Sequence, residues 1–278
     1  MLYLEHFSFP DTDRKQYPFN IMFPKQIGKL SLSPVTIFYG GNGSGKSTIL
    51  NIIARTIGVR DMTLGNTGDY FDNYIDECSY YLNWHDTSRK SRFIRSEDIM
   101  DGINDAREAN YRITEKAYKD ADKLDEYGFE GLSERFRHPD SLTSKDRALL
   151  SRMSIGQGLN AALSAREEQY SNGETAMRYF DQNLTMESLI FLDEPENSLD
   201  AISQQQLAIK IDGLAHYADT QFIIASHSPF LMAIRGAKVI DLDSLPSIER
   251  HWYELPNVVA YFDFFQKHAD KFLVTRHG

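Results

Sequence analysis

Nine consecutive residues, Gly40-Gly41-Asn42-Gly43-Ser44-Gly45-Lys46-Ser47-Thr48, constrain this chain more than any other stretch. They fit the pattern G-x-x-x-x-G-K-[ST]. The apolar run Val35-Thr36-Ile37-Phe38-Tyr39 precedes them and predicts a buried strand. Ile49-Leu50-Asn51-Ile52-Ile53-Ala54 follows, apolar almost all round, and predicts a buried helix ending at Gly58. Strand, glycine-rich loop and helix together form the context in which such a loop holds phosphate. Glycines let successive backbone N–H groups turn inward, and the helix N-terminus adds its positive dipole end. Lys46 is then expected to reach the outer phosphates and the Ser47 hydroxyl to ligate Mg²⁺. The stretch predicts a site for a nucleoside triphosphate.

The same α/β pattern returns after a long polar interval. Residues 60 to about 165 are charged and rich in helix formers. Ile113, Ala117 and Leu124 share one helical face there. A further helical stretch follows Ser144, carrying Leu149, Leu150, Met153, Leu159 and Leu163, with interruptions at Gly156 and Gly158. From Ser188 the pattern is again strand and helix: strand Leu189-Ile190-Phe191-Leu192, a helix marked by Leu207, Ile211 and Leu214, strand Phe222-Ile223-Ile224-Ala225, and strand Lys238-Val239-Ile240-Asp241. A last helix is expected from about Asn257 to Phe272, with Val258, Tyr261, Phe262, Phe265 and Phe272 on one broad face. Residues 3 to 9 read as an edge strand. In the stretch from Pro10 to Pro34, Tyr17 and Phe19 are candidates to stack on a nucleobase, core packing being the other reading.

Leu189 to Glu196 reads Leu-Ile-Phe-Leu-Asp-Glu-Pro-Glu. Four apolar residues carry the chain through a sheet and deliver carboxylates at the strand's C-terminal end, where open α/β sheets bind ligands. Phosphoryl transfer needs one group to hold the metal and another to position the nucleophile. Asp193 is the expected metal holder and Glu194 the group that orients the attacking water. His227, just past the strand ending at Ala225, stands where it can bond the terminal phosphate or that water.

Taken together, these residues resemble the ATP-binding cassette (ABC) ATPases on both sides of the polar interval. Gly40 to Thr48 looks like that class's Walker A motif and Asp193-Glu194 like its Walker B acid pair. Ser198-Leu199-Asp200 resembles its D-loop and His227 its switch histidine. The signature loop has two candidates, Ser154-Ile155-Gly156-Gln157 and Ser171-Asn172-Gly173-Glu174. Twenty-two positions separate Ser171 from Asp193, room for a helix of about four turns and a strand. Ser154 lies too far upstream. Ser171, Gly173 and Glu174 are therefore taken as the signature, with Tyr170 where leucine is usual.

The resemblance implies an α/β P-loop NTPase fold, ABC ATPase-like, with a mainly parallel sheet and a helical insertion. The expected division is a nucleotide-binding core over 1–60 and 175–278, with residues 61–174 inserted as mainly helical structure ending in the signature. Asp193-Glu194-Pro195-Glu196-Asn197 looks like the soluble branch, comprising SMC- and RecF-like repair ATPases and OLD-like defence ATPases. The opening Tyr17-Pro18-Phe19-Asn20 and the run from Gln221 to Pro229 look closest to that branch's small stand-alone predicted ATPases. Three features depart from the pattern. No glutamine lies between Gln26 and Gln157, so the usual Q-loop residue is absent, and Glu97 or Asp98 is the candidate substitute. No long coiled coil is visible. The chain also leaves no room for the nuclease domain of OLD proteins.

Composition limits the functional classes. No apolar run approaches the roughly 18 residues that span a bilayer, and the N-terminus lacks the pattern of a signal peptide. The single Cys78 excludes an internal disulfide framework, which suits a cytoplasmic protein. A net charge of −10 disfavours nucleic acid over the whole surface, although Arg89, Lys90, Arg92 and Arg95 form a local basic cluster. The leading expectation is an ATP hydrolase using Mg²⁺ that forms an ATP-dependent head-to-tail homodimer and drives a separate effector or nuclease chain. An ATP-gated interaction module with little turnover is the alternative, and a transporter's ATP-binding subunit is weaker.

Overall fold

The computed structural model describes residues 2–59, 69–83, 91–126, 131–152 and 172–274. The described chain divides into two compact units, one comprising residues 1–99 and 180–278 and the other residues 100–179.

The first unit opens with β1 (Leu4–Ser8), followed by β2 (Lys29–Ser31), β3 (Val35–Tyr39) and α1 (Lys46–Thr56). Next come β4 (Ser79–Leu82), β5 (Ser91–Arg95) and the start of α2 (Ser96–Glu126). After the helical unit the chain supplies the end of α3 (Asn172–Asn183), β6 (Leu189–Asp193), α4 (Ala201–Tyr217), β7 (Gln221–Ala225), β8 (Lys238–Asp241), β9 (Ile248–Arg250), α5 (Pro256–Lys267) and α6 (Ala269–Val274).

Six strands make one sheet in the order β5-β6-β7-β3-β8-β9. All its neighbours pair in parallel except β8 with β9. Every residue of β3, β6 and β7 is buried. That explains why they are apolar apart from Thr36 and the end residues Asp193 and Gln221, since a parallel strand covered on both faces has no solvent side. Register adds specific pairs: Phe93 lies beside Phe191, and their rings stack with centroids 5.8 Å apart. The parallel run places four loops at one sheet end, those after β3, β6, β7 and β8.

β1 is not an edge strand. It forms the middle of a separate antiparallel sheet, β2-β1-β4. Its apolar alternation fits either position, because pairing on both sides changes the backbone partners and not the faces. One buried side chain joins this sheet to the larger one. Gln221 Oε1 accepts the Tyr3 and Leu4 N–H groups, each at 2.9 Å, while its Nε2 donates to the carbonyls of Leu4 and Ser33. All the amide's polar atoms are thereby used, as burial requires.

The strands at 79–82 and 91–95 belong to sheets of the first unit, so the helical unit begins at Met100, well after residue 61. Within it, Ile103, Ala117, Leu132, Phe136, Leu150 and Ala176 are buried. Ile113, expected on the same face as Ala117, is exposed. The Leu124 side chain, Met153, Leu159 and Leu163 lie outside the described residues. At the C-terminal side, the single helix expected from Asn257 to Phe272 is two, broken at His268. Val258 is buried, but Tyr261, Phe262, Phe265 and Phe272 are each more than half exposed. Their aromatic face does not enter the core. No helix among the described residues is long and apolar enough to cross a membrane.

Candidate nucleotide site

β3 ends at Tyr39 and the loop turns at once into α1. The turn depends on glycine at two points. Gly45 has φ +92°, and a Cβ there would lie 3.0 Å from Ile21 Cγ2 and 3.3 Å from Lys25 Cε. At Gly40 a Cβ would meet Ser44 Oγ at 2.5 Å, so the loop closes over its own start. No side chain caps α1, which leaves the amides of its first turn aimed outward, the arrangement that binds anions. Ser44 Oγ is buried without a hydrogen-bond partner.

Lys46 is almost fully buried. Its Nζ donates to the carbonyls of Gly40 and Gly41 at 2.8 and 3.1 Å and pairs with Glu194 Oε1 at 3.0 Å. Ser47 Oγ donates to Asp193 Oδ1 at 2.9 Å. Adjacent residues of the loop thus meet adjacent carboxylates of the turn after β6. Asp193, 8% exposed, is pushed up to about 6 by burial, against the Ser47 hydrogen bond, with the Glu194 charge adding to the rise. Glu194 behaves oppositely. Burial raises it, but hydrogen bonds from Lys46 and Asn197 and the charges of Lys46 and His227 hold it below the ordinary carboxylate value. Two neighbouring carboxylates with opposite shifts are set up for different tasks. Glu194 also adopts φ 49°, ψ 51°. A left-handed backbone at a non-glycine residue is strained, and such strain clusters at functional sites.

The remaining expected residues are placed as follows. His227 stands after β7, with Nδ1 3.3 Å from Glu196 Oε1 and its ring partly exposed. Asp200 caps α4, its Oδ1 accepting the Ser203 N–H at 2.7 Å. Asn42, Gly41 and Gly43 lie on the exposed rim of the loop. Thr48 Oγ1 is 3.3 Å from the Tyr17 hydroxyl, whereas Phe19 is fully buried in the core against Tyr74. Asp98 accepts the Arg95 N–H at 2.8 Å, and the Glu97 charge is felt at Asp193. Gly173 and Glu174 open α3 in the helical unit. Ser171 lies outside the described residues, as do Tyr170, Ser154 to Gln157, Arg89 and Lys90. Burial pushes the Cys78 thiol up to about 12, which makes it unreactive. Arg92 and Arg95 donate to Asn183 and Asn51.

Sequence reasoning missed two residues of this region. Asp243, two positions beyond β8, accepts the Gly41 N–H through both carboxylate oxygens, at 3.1 and 2.9 Å. Glu196 is buried and accepts from the loop after β7. The strand-end rule that located Asp193 and His227, applied equally to β8, points at Asp243.

These residues fit a magnesium-bound triphosphate. The uncapped amides, the buried unpartnered Ser44 hydroxyl and the Lys46 ammonium suit phosphate oxygens. Ser47 and Asp193 supply two hard oxygen donors. Among the described residues no group of three or more His, Cys, Asp or Glu side chains is placed to hold a metal.

Residues 14–220 match the model of a family described as an AAA domain. The fold is that of a P-loop nucleotide-binding domain, a mainly parallel sheet with the glycine-rich loop between β3 and α1. The chain belongs to the AAA domain family. No curated protein matches it. Three solved structures are similar in fold. One is the SMC head domain from Thermotoga maritima, 16% identical over 90% of this chain and 99% of that one, with a TM-score of 0.38. Another is an Smc head domain with an extended coiled coil, bound to the C-terminal domain of ScpA and derived from Pyrococcus furiosus, 14% identical over 94% and 99%, with a TM-score of 0.40. The third is described as a metal-chelate type ABC transporter in an inward-facing conformation, 15% identical over 94% and 88%, with a TM-score of 0.38.

Proposed function

We propose that this chain binds and hydrolyses ATP with Mg²⁺, forms a head-to-tail homodimer around the nucleotide, and uses the cycle to drive or gate a partner protein of the defence or DNA-repair type. The observation that carries the proposal is the double pairing of Ser47 with Asp193 and Lys46 with Glu194. It sets the Ser47 and Asp193 oxygens beside the Glu194 carboxylate at one sheet end, which supports reading the first two as metal holders and the third as the group that orients water.

Bound Mg²⁺-ATP would supply the electrophilic phosphorus and the charge neutralisation that phosphoryl transfer needs. The chain supplies the rest. Gly43, Gly45 and the first-turn amides bind phosphate oxygens, and Lys46 exchanges its carbonyl contacts for phosphate. Ser47 and Asp193 hold the cation. Once Lys46 leaves it, Glu194 has a free acceptor oxygen for a water, and the Asn197 hydrogen bond to its other oxygen still favours the charged form. His227 faces the same water from the end of β7. Ser171, Gly173 and Glu174 would act on the partner protomer's nucleotide, and Asp200 would lie at the same junction. The aromatic face exposed on α5 and α6 supports a partner chain, because contiguous exposed apolar surface marks interaction sites.

Titration of purified protein with Mg²⁺-ATP tests the reading at its base. Lys46→Ala should weaken binding by the roughly 1.5–3 kcal/mol of a charge-assisted hydrogen bond. Unchanged affinity contradicts the site.

A further inference from the structure

Glu196 is the residue whose cost the proposed mechanism does not explain. It sits in the 3₁₀ turn Pro195–Ser198 and is 5% exposed. Its Oε1 is crowded: the Ser226 hydroxyl donates to it at 2.7 Å, the His227 N–H at 2.6 Å, and His227 Nδ1 lies 3.3 Å away. Its Oε2 is buried and has no hydrogen-bond partner among the described residues. Burying a carboxylate with one oxygen unsatisfied is expensive. A neutral amide could serve the hydroxyl and the backbone N–H alone, without a buried charge. The imidazole is the one neighbour that a carboxylate serves better, because it balances the ring's positive form.

We propose that Glu196 is a positioning residue for His227, binding Nδ1–H and so fixing the tautomer that leaves Nε2 to face the nucleotide. The proposal rests on the reading of His227 as part of the site. With Nδ1 3.3 Å from Glu196 Oε1, the carboxylate favours a proton on that nitrogen, which leaves the neutral ring's lone pair at Nε2. That atom accepts a proton from the attacking water or, once protonated, donates to a phosphate oxygen. A second brace lies opposite: Asn257 Nδ2 at the start of α5 donates to the His227 carbonyl at 3.2 Å. Backbone and ring are thus held from two elements. The tether also spans neighbouring strands, since Glu194 N–H donates to the Ala225 carbonyl at 2.9 Å. The turn bearing Glu194 and the loop bearing His227 are thereby hydrogen-bonded to each other.

Nitrogen NMR of the isotopically labelled full chain, at about pH 8 where an ordinary imidazole is neutral, reads the tautomer directly. The His227→Ala spectrum identifies the signal among the eight histidines. The His227 ring should be protonated at Nδ1, the reverse of the preference of an unconstrained neutral histidine side chain, and Glu196→Ala should return it to Nε2–H. Phosphate release should fall by about 10–100-fold in Glu196→Ala, the range for groups that orient a functional histidine, with ATP affinity within about threefold. In a His227→Ala background the same change should cost less than about twofold, because residues acting as a unit are not additive. A wild-type ring protonated at Nε2 overturns the proposal, as does a double variant whose loss is the product of the two single losses. If His227→Ala alone turns over at the wild-type rate, the reading of His227 fails, and the tautomer still decides whether Glu196 positions the ring.

Discussion

Asp193 makes the metal-free protein pay for its own cation site. Its carboxyl is raised from 3.8 to about 6, chiefly by burial. The folded state therefore holds this proton more tightly than the unfolded chain does. Below about pH 4 both states are protonated and the site costs nothing. As pH rises, the unfolded chain releases the proton first, and folding stability falls until the folded carboxyl has also ionised. Each tenfold difference in proton affinity between the two states is worth about 1.4 kcal/mol, so the full loss between about pH 4 and pH 7 is about 3 kcal/mol. Asp193→Asn keeps the shape and an acceptor for Ser47 but carries no charge at any pH. Urea unfolding of both proteins in the presence of a chelator, at several pH values, isolates the effect, because the other titrating groups cancel in the difference. The variant should gain about 3 kcal/mol on the wild type as pH rises over that range. A difference that stays constant across it refutes the argument that burial of an ionised Asp193 is being offset only when a cation arrives.

Gly45→Ala should destabilise the fold by about 1–2 kcal/mol, the cost of a side chain in the left-handed region, and weaken ATP binding as Ile21 and Lys25 are pushed from the loop; denaturation and nucleotide titration measure both, and an unchanged protein would mean that the +92° turn is not required. Composite sites make a separate prediction: mixing Lys46→Ala chains with Ser171→Arg chains should restore about one working site per heterodimer, and mixtures no more active than either variant alone would exclude sharing between protomers.

The parts of the fold that could be read from sequence were those with one physical solution. An apolar strand such as Val35–Tyr39 must be covered on both faces, and a glycine loop between it and a helix can scarcely do anything but bind an anion. The strand ends then followed: Asp193 falls beside Ser47 and Glu194 beside Lys46, with His227 at the end of the neighbouring strand β7. Other features depended on pairings that no local pattern carries. β1 reads alike at an edge or at a centre, and its neighbour β4, with Tyr80 and Tyr81 exposed, gives no apolar signal. The role of Gln221 appears only when two sheets meet over its side chain. Glu196 was visible as one more acid after the strand, but only the 3₁₀ turn rotates it inward towards His227. For the aromatic residues of α5 and α6, helical spacing groups them on a face without saying whether that face is covered. For Asp243 the signal was present, since it follows a parallel strand end as the other site residues do.

The division of labour between Asp193 and Glu194 is the centre of this account, and Glu194→Gln tests it most directly. The amide keeps the shape of the side chain and leaves Ser47 and Asp193 to hold Mg²⁺, but it cannot polarise a water. Phosphate release and light scattering are measured on the same protein with Mg²⁺-ATP. The account predicts normal ATP binding, release slowed by about 10²–10⁴-fold, the range for general-base catalysis, and a persistent dimer, with Asp193→Asn instead weakening Mg²⁺-dependent binding. A Glu194→Gln protein that hydrolyses at the wild-type rate, or stays monomeric with ATP bound, contradicts it.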